Sequence, residues 1–585
     1  MRLTSKKRIF LILIGFTMIL ILFVLRIGWM AWSSAARPVT AGGRTINELA
    51  VRQREEGVEL DSGRGHFIDR EGERLTGSVR WLPTLFPVRD LPEPESLSKL
   101  ASIIGVPVEE LEIKWKTLQA PFTWNYNTPA KEQTWPRIEG VEWLPYMKRY
   151  SEGVRGNQWL GYVAQRPDVL RHLNDQGRSH LFPISMQVGA SGLELTMDRF
   201  LRGIGGTRVS YALDGQHRSL SEIGTRIKSN NNPYYPVQIQ TTTRESTQRK
   251  LEELVDAMDM REGAIVVLDA RQGDIISMVS RPFYDPGRIN LSGGEWSNRA
   301  VKAEVPGSIF KLVIAAAALE SGASHPEEVF NCTGHYGRYG LSCWKTGGHG
   351  KITLKEGFAQ SCNTVFAELG ERLSAAQISS MANNLGLSRK VGWYAESFID
   401  GQSLRQIDQE EKGTVFQSGV QIDGGVLAQT ALGQRDVLVT PLQAANMVVS
   451  LLHDGRLLAP RLVNRIQYKD GSVLAQFPVQ ALDQEARISP KTAREVLSWM
   501  RLVVTEGTGR SLASAAWPLA GKSGTAQTMK SGKRLNQQWF IGYGPVQEPR
   551  YAVAVLVQNR PAGSKHQATA VFRRVMDILA DEEGI

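Results

Sequence analysis

Cysteine is scarce in this chain of 585 residues, which contains only three, at Cys332, Cys343 and Cys362. Three cysteines are too few for a disulfide scaffold, and no Cys/His group has the spacing typical of a zinc site. We therefore predict no metal site and no cofactor. Cys332 and Cys343 are close enough along the chain for a disulfide, and a bond and two free thiols remain alternatives. Cys362 is predicted to be free and to point into packing.

The chain also lacks long basic runs and nucleic-acid-binding motifs, although 69 basic and 59 acidic residues give it a net charge of +10. Such a charge suits nucleic acid, an anionic membrane surface or anionic wall polymers. Without a nucleic-acid motif we favour the membrane and the wall, and we expect no nucleic-acid partner. A hydrophobic content of 42% with 22% charged residues indicates a folded chain. Its length predicts two or more domains.

A long hydrophobic run lies near the N-terminus. Residues 9–25 carry no charge, and the apolar character continues past Arg26 to Trp32. This length suits a membrane-spanning helix, and the basic residues before it favour a cytoplasmic N-terminus. We predict a cytoplasmic tail at 1–8 and a transmembrane anchor at 9–32, with the remainder outside the cytoplasm. A cleaved signal peptide is the alternative, because residues 33–36 could mimic a small-residue cleavage site.

The segment 306–320 begins Pro-Gly-Ser-Ile-Phe-Lys and continues as an alanine-rich apolar run, which predicts a helix beginning at Ser308. Lys311 follows one turn later on the same face. A hydroxyl and an amine so placed can share a proton, as a serine nucleophile requires when no histidine serves as its base. Free N–H groups at the helix N-terminus would favour an oxyanion. Alone, Ser308 could be an ordinary helix cap, and Ser96 and Lys99 have the same spacing.

Two further motifs follow in order along the chain. Ser361 and Asn363 flank one residue just before a helix-like segment, and Lys522-Ser523-Gly524-Thr525 follows an apolar segment. Each motif is common by itself. The ordered set of Ser-x-x-Lys, Ser-x-Asn and Lys-[Ser/Thr]-Gly is the signature of penicillin-binding proteins and serine β-lactamases.

With these motifs the chain resembles the class B penicillin-binding proteins, and two more segments extend the resemblance. Residues 63–72, GRGHFIDREG, resemble the family's Arg-Gly-x-Ile-x-Asp-Arg-x-Gly box, and 192–205 resemble a second box that opens Gly-Leu-Glu. In the family both boxes belong to the membrane-proximal module and are structural. The resemblance is looser at 87–152, where we predict an elaborated, partly loop-like head region.

The resemblance implies an α+β fold with an N-terminal dimerisation or pedestal domain at 33–236 and a transpeptidase domain at 237–585. In the family the latter is an antiparallel sheet covered by helices, similar to serine β-lactamases. The residue pattern independently predicts strands and helices around one sheet. These are a strand at 237–243, a helix at 244–258, a hairpin formed by 264–269 and 275–279, a strand at 551–557 and a helix at 566–583.

The resemblance also implies a role for each catalytic candidate. Ser308 would attack the penultimate D-Ala carbonyl of a D-Ala-D-Ala stem peptide and form an acyl-enzyme. Lys311 would be the base, its pKa lowered by burial and by the second cation, Lys522. Ser361 would relay a proton toward the leaving amine, and Asn363 would hold the substrate amide. Lys522 would supply positive potential.

Substrate binding is expected at Ser523, Gly524 and Thr525. The hydroxyls of Ser523 and Thr525 would bind the terminal carboxylate, and the N–H groups of Ser308 and Thr525 would form the oxyanion hole. The family usually has threonine where Ser523 stands, and the hydroxyl is retained. The predicted partners are stem peptides, β-lactams, the membrane and other wall-synthesis proteins. His349, in a Gly-His-Gly turn, is predicted to be structural.

The resemblance favours a peptidoglycan D,D-transpeptidase that β-lactams inhibit covalently. The alternatives are a D,D-carboxypeptidase, or a β-lactam sensor or β-lactamase of the same fold. The Glu-x-x-x-Asn loop of class A β-lactamases is absent between Asn363 and Lys522. Class D enzymes use no such glutamate, and the N-terminal boxes argue against them. A bifunctional class A penicillin-binding protein would need a Glu-Asp-x-x-Phe motif, and the chain has no Glu-Asp dipeptide. A non-enzymatic scaffold would be expected to lose one of the three motifs.

Overall fold

The computed structural model describes residues 5–36, 55–88, 90–125, 135–150, 156–175, 182–183, 185–212, 225–290, 292–337, 339–399, 401–483, 488–530 and 532–584. Three parts of the predicted organisation lie outside these residues: 1–4 of the tail, 37–54 after the anchor and parts of the 87–152 region. All eight predicted site residues lie within the described residues.

A helix of 32 residues, Ser5–Ala36, begins the described chain. Its segment Ile9–Ser33 has a mean hydropathy of 2.8 and is not buried within the protein. Among the described residues it is the one helix long and apolar enough to cross a membrane. The helix therefore fits a single membrane anchor where the sequence predicts one, and a signal sequence would meet the same criteria of length and composition.

The chain folds into two compact units, the first made of Met1–Gly63, Ser78–Lys148 and Gly205–Asn231. This unit contains two three-stranded antiparallel sheets. In spatial order their strands are Glu55–Asp61, Thr207–Ala212 and Arg226–Lys228 in one sheet, and Phe122–Thr123, Ser78–Leu85 and Val141–Lys148 in the other. Its helices include Pro94–Ile104 and Val108–Lys116.

These two helices lie in the region predicted to be partly loop-like. The first buries Leu97, Leu100, Ala101 and Ile104 at helical spacing. Trp115 of the second packs in the same core and donates its indole N–H to a backbone carbonyl at 2.8 Å. The region is more regular than predicted, because its two short helices are amphipathic. The prolines and charged residues lie outside these helices or on their solvent-facing side.

The second unit comprises Arg64–Gly77, Arg149–Ile204 and Asn232–Ile585. Its main sheet has five strands, each antiparallel to its neighbours. Their spatial order is Ile275–Arg281, Gly263–Asp269, Tyr551–Pro561, Lys533–Gly544 and Ala520–Lys530. The predicted hairpin and the predicted strand at 551–557 are all in this sheet, so the α+β fold around one antiparallel sheet is confirmed.

This sheet is buried on both faces, so its central strands are apolar at successive positions rather than at alternate ones. Ile265 and Val267 belong to one apolar core, and Val266 and Leu268 belong to the other. The first core includes helices Glu245–Ala257 and Gln567–Glu582. The second includes helices Lys311–Ser321, Pro441–Leu452 and Pro490–Thr505.

Smaller elements complete the second unit. Its other α-helices are Asn157–Leu160, Pro167–Asp175, Gly192–Thr196, Asp198–Leu201, Leu354–Ala359, Asn363–Arg372, Ala375–Asn384 and Gly424–Ala431. Single 3-10 turns lie at Arg299–Val301, Gly307–Phe310 and Arg510–Leu512. Two-stranded pairs are formed by Val163–Gln165 with Gln187–Gly189, Val329–Cys332 with Gly350–Thr353, His335–Tyr336 with Leu341–Ser342, and Tyr394–Ala395 with Leu404–Arg405.

The first sequence box enters this unit as the strand His66–Ile68. This strand pairs in parallel with Gln238–Thr241, the strand predicted at 237–243. Strands Val463–Gln467 and Val473–Gln476 continue the same four-stranded sheet.

Arg64 and Glu194, one from each sequence box, form a buried ion pair. Arg64 Nη2 lies 2.7 Å from Glu194 Oε2, with the two side chains 4% and 0% exposed. Arg149 Nε lies 2.6 Å from the other carboxylate oxygen, and Arg64 Nη1 lies 2.8 Å from Asp198. Burial opposes the charge of Glu194, but Arg149 and Arg64 outweigh it, so the pKa of Glu194 falls below its ordinary value. Within this unit, buried ion pairs therefore join the two sequence boxes.

Replacing Glu194 with glutamine should destabilise the protein, because it removes the buried carboxylate that Arg64 and Arg149 share and leaves Arg64 with Asp198 alone. We expect Glu194→Gln to lower the free energy of unfolding by about 3–5 kcal/mol. The matched control is Asp454→Asn, which removes the charge from an exposed pair with Arg494 at 3.2 Å and should cost about 0–1 kcal/mol. Thermal and denaturant melts of the detergent-solubilised chain measure both, and equal losses would contradict the structural role of the network.

Candidate active site

Ser308 lies in a 3-10 turn, Gly307–Phe310, which leads directly into the α-helix Lys311–Ser321. Sequence reasoning predicted the helix, and the structure differs only in this tighter first turn. Gly307 has a φ of +56°, and its N–H donates to the Gly433 carbonyl at 2.9 Å. A Cβ at Gly307 would lie 2.5 Å from the Thr525 carbonyl oxygen. Only glycine at position 307 lets the turn that carries Ser308 come this close to the Thr525 carbonyl.

The Lys-Ser-Gly-Thr motif lies on the edge strand Ala520–Lys530 of the main sheet. Lys522 points inward and is fully buried, whereas Thr525 is exposed. A Cβ at Gly524 would lie 2.7 Å from the Pro306 carbonyl. The strand and the turn carrying Ser308 are therefore in backbone contact through Gly307 and Gly524.

Ser361 occupies the left-handed region of the backbone map, with a φ of +54°. This conformation is uncommon for a residue other than glycine and often marks a functional position. Helix Asn363–Arg372, predicted from the sequence, begins two residues later. The Ser361 hydroxyl is thereby held between two amines, with Lys522 Nζ at 2.9 Å and Lys311 Nζ at 3.4 Å.

Lys311 is fully buried and points toward the Ser-x-Asn motif. Its Nζ donates to the Ser361 carbonyl at 2.9 Å and to Asn363 Oδ1 at 2.8 Å. Burial lowers the pKa of Lys311 to about 8, and the Cys362 and Cys343 sulfurs oppose that shift. A neutral amine is therefore accessible near neutral pH, which is what a general base requires.

Lys522 is equally buried, and its Nζ donates to the Ser361 hydroxyl and, at 3.0 Å, to the Ser523 carbonyl. Burial, followed by repulsion from Lys311, lowers the pKa of Lys522 well below its ordinary value. Neither amine has a carboxylate partner among the described residues. Because a proton on one disfavours a proton on the other, the pair favours a state with one amine charged.

A cavity of about 440 Å³ opens in front of these groups. Six of the eight predicted residues line it, and the two lysines lie behind it: the lining set is Ser308, Ser361, Asn363, Ser523, Gly524 and Thr525. Among the described residues the Ser308 hydroxyl has no hydrogen-bond partner. The Lys311 amine donates to Ser361 rather than to Ser308. Catalytic hydrogen bonds commonly tighten only when substrate binds.

Sequence reasoning missed four further lining residues, Trp344, Leu432, Gln434 and Thr508. Thr508 Oγ1 lies 3.0 Å from the Ser523 hydroxyl. Thr508 belongs to a Gly-Thr-Gly segment at 507–509. A hydroxyl between two glycines was the available signal, and it was too common to use alone.

The three cysteines come together with His349 beside the Ser-x-Asn motif. His349 Nδ1 lies 3.6 Å from Cys332 Sγ and 3.4 Å from Cys343 Sγ. Cys343 Sγ lies 3.9 Å from Cys362 Sγ, and all three cysteines are free and buried. Of the two alternatives for Cys332 and Cys343, the structure has free thiols. The prediction of no metal site relied on sequence spacing, and the fold assembles ligands that are widely spaced in sequence.

Two family models match this chain. The penicillin-binding protein transpeptidase domain matches residues 263–577, and the penicillin-binding protein dimerisation domain matches residues 59–235.

Curated relatives align over most of their length and most of this chain. Stage V sporulation protein D of Bacillus subtilis is 27% identical, with 99% of this chain and 85% of the relative covered. The peptidoglycan D,D-transpeptidase MrdA of Haemophilus influenzae is 25% identical, over 90% and 85% of the two chains. The peptidoglycan D,D-transpeptidase PbpA of Mycolicibacterium smegmatis is 26% identical, over 74% and 88%.

Solved structures share the fold. A chain from a peptidoglycan synthase complex has a TM-score of 0.66 at 23% identity, with 98% of each chain covered. Penicillin binding protein 3 of Mycobacterium tuberculosis, complexed with aztreonam, has a TM-score of 0.60 at 20% identity, over 91% of this chain and 98% of that one. The transpeptidase-domain match spans more than half of the chain, and the dimerisation module precedes it. This chain therefore belongs to the penicillin-binding protein transpeptidase family and has the architecture of a class B penicillin-binding protein.

Proposed function

We propose that this protein is a peptidoglycan D,D-transpeptidase that cross-links stem peptides through an acyl-enzyme on Ser308. The observation that carries the proposal is that Ser308 and Ser361 line one cavity, and that the Ser361 hydroxyl accepts from two buried amines, those of Lys311 and Lys522. Curated relatives that carry the name peptidoglycan D,D-transpeptidase support the same reaction.

In the acylation step, the Ser308 hydroxyl attacks the carbonyl carbon of the penultimate D-Ala. Lys311, in its neutral form, accepts the hydroxyl proton, because its pKa is lowered by burial. The backbone N–H groups of Ser308 and Thr525 stabilise the oxyanion. Ser361 passes its proton to the departing D-Ala amine and takes the proton held by Lys311, whose Nζ lies 3.4 Å from the Ser361 hydroxyl. The leaving group therefore departs neutral, and Lys311 is again a neutral base.

The edge strand supplies the substrate contacts in this proposal. The hydroxyls of Ser523 and Thr525 bind the terminal carboxylate, and Gly524 leaves room for the peptide backbone. Asn363, whose side chain donates to the Ser342 carbonyl at 3.0 Å, holds the substrate amide. An acceptor amine from a second stem peptide then attacks the acyl-enzyme, with Lys311 again moving the proton.

A β-lactamase would need an efficient way to activate water. None of the cavity-lining residues in the described part of the chain carries a carboxylate. By the class A route, which uses a glutamate, a penicillin acyl-enzyme on Ser308 should therefore hydrolyse slowly, and penicillin should inhibit the protein. Against a class D enzyme, which needs no such glutamate, the argument is the dimerisation module that precedes the transpeptidase domain. A D,D-carboxypeptidase remains the second candidate, because water and an amine attack the same acyl-enzyme.

We also propose the cellular arrangement that goes with this reaction. The basic residues before the apolar helix place the N-terminus in the cytoplasm and residues 33–585 outside it. Residues 33–236 would act as the dimerisation or pedestal domain and 237–585 as the transpeptidase domain. Other wall-synthesis proteins would be partners, by analogy with the synthase complex of similar fold.

Covalent labelling tests the nucleophile. A fluorescent penicillin should label the chain at Ser308, because its ring amide mimics D-Ala-D-Ala, and Ser308→Ala should abolish the label without changing the thermal melt. The matched control is Ser96→Ala, which removes the serine of the other Ser-x-x-Lys and should label at the wild-type rate. Labelling of Ser308→Ala at full rate would place the nucleophile elsewhere.

The two lysines are expected to respond differently to the same substitution. Lys311→Arg keeps a charge but cannot accept a proton, so the second-order rate of acylation by penicillin should fall by about a hundred- to ten-thousand-fold. Lys522→Arg keeps the cation with another shape and should cost less. Both side chains are fully buried, so the larger guanidinium imposes a comparable packing burden at each position. An equal or greater loss in Lys522→Arg, with both variants folded by thermal melt, would overturn this division of roles.

A further inference from the structure

Four potential metal ligands converge beside the active-site cavity. The Sγ atoms of Cys332, Cys343 and Cys362 and one ring nitrogen of His349 all lie within 4.8 Å of one another. The three cysteines are 1%, 9% and 0% exposed. From this geometry we propose that Cys332, Cys343, His349 and Cys362 bind one structural zinc ion.

The spacing of the ligand atoms agrees with a zinc site. In a tetrahedral Cys₃His site the ligand atoms lie about 3.5–3.8 Å apart, because Zn–S and Zn–N distances are about 2.3 and about 2.0 Å. Of the six separations among the four ligand atoms, three are 3.4, 3.6 and 3.9 Å, and all six are within 4.8 Å. A disulfide would join only two of the sulfurs and leave the third beside the imidazole.

The orientation of His349 supports coordination through Nδ1. This nitrogen faces two sulfur atoms, whereas Nε2 is buried and has no hydrogen-bond partner among the described residues. Among the described residues, the imidazole ring is therefore held by its contacts with the sulfurs and with the Trp344 ring, whose centroid lies 5.4 Å away. Buried free cysteines often serve as small apolar side chains, but such packing does not require all three to converge on one imidazole.

The ligands come from four separate local elements. Cys332 ends the strand Val329–Cys332, Cys343 follows the strand Leu341–Ser342, His349 precedes the strand Gly350–Thr353, and Cys362 caps the helix Asn363–Arg372. Between the first and third ligands, the strands formed by the described residues are each two residues long, His335–Tyr336 and Leu341–Ser342. Such a short hairpin is marginal by itself, and a metal ion would fasten it to the domain core.

Zinc at this site would also support the catalytic motif. Cys362 stands between Ser361 and Asn363, and Asn363 donates to the Ser342 carbonyl next to Cys343. Trp344, which follows Cys343, lines the cavity and donates its indole N–H to the Gln360 carbonyl at 2.9 Å. The ion would therefore hold the left-handed backbone at Ser361 and one wall of the cavity.

The chemistry is structural rather than catalytic. Four protein ligands fill a tetrahedral zinc site and leave no open position for water or substrate. The three sulfurs bind as thiolates, so binding releases the thiol protons to solvent, and nothing is oxidised or reduced.

Metal content tests the proposal directly. The full chain, purified in detergent after growth with zinc, should contain about one zinc per chain by elemental analysis. Cys332→Ser and His349→Ala should each lose most of that zinc. The matched control is His335→Ala, which removes an exposed histidine of the same hairpin and should retain it. Ser308→Ala should also retain zinc, so failure of the proposed catalytic function is distinguishable from failure of this site.

Two measurements on the unaltered chain keep the test valid if a ligand variant fails to fold. Replacing zinc with cobalt should give the visible spectrum of tetrahedral thiolate coordination. A chelator should raise the number of thiols that react with a maleimide under native conditions from none to three. A chain without metal after zinc reconstitution, a metal content unchanged in His349→Ala, or an intact mass showing a disulfide under non-reducing conditions would each overturn the proposal.

Discussion

Two lysine amines buried on either side of one serine hydroxyl are the constraint on which the active-site region depends. Lys311 and Lys522 are fully buried and lack carboxylate partners among the described residues, so full protonation of both is unfavourable. Hydroxyl, carbonyl and amide oxygens around Ser361 accept their hydrogen bonds, and the rings of Phe366 and Phe358 lie 5.3 and 5.8 Å from the respective amines. This environment keeps an amine available as a base, at the cost of burying polar groups.

The scaffold serves this arrangement by bringing three segments that are distant in sequence together at one site. The main sheet, buried on both faces, fixes the strand that carries Lys522. Gly307 and Gly524 let the turn of Ser308 approach that strand without a Cβ between them. The left-handed Ser361 then points its hydroxyl between the two amines.

The motifs and regular elements were predictable because they depend on short-range pattern. Helix Asn363–Arg372 and the hairpin of the main sheet follow from local periodicity, and the structural role of the two boxes follows from the resemblance. The ion pair that joins the boxes was not predicted. The lowered pKa of Lys522 was not predicted either, because it depends on how completely three segments exclude water. The Cys₃His cluster was missed for a related reason: its members are separated by unequal lengths of chain that only the folded loop brings together.

The central claim is that an acyl group on Ser308 passes to an amine. The most direct measurement incubates the detergent-solubilised chain with a D-Ala-D-Ala stem peptide and an acceptor amine and resolves the products by mass. We expect the unaltered chain to release D-Ala and to form a cross-linked product, and we expect Ser308→Ala to do neither. Release of D-Ala with only the hydrolysed peptide would identify a carboxypeptidase instead, and a cross-linked product from Ser308→Ala would contradict the mechanism.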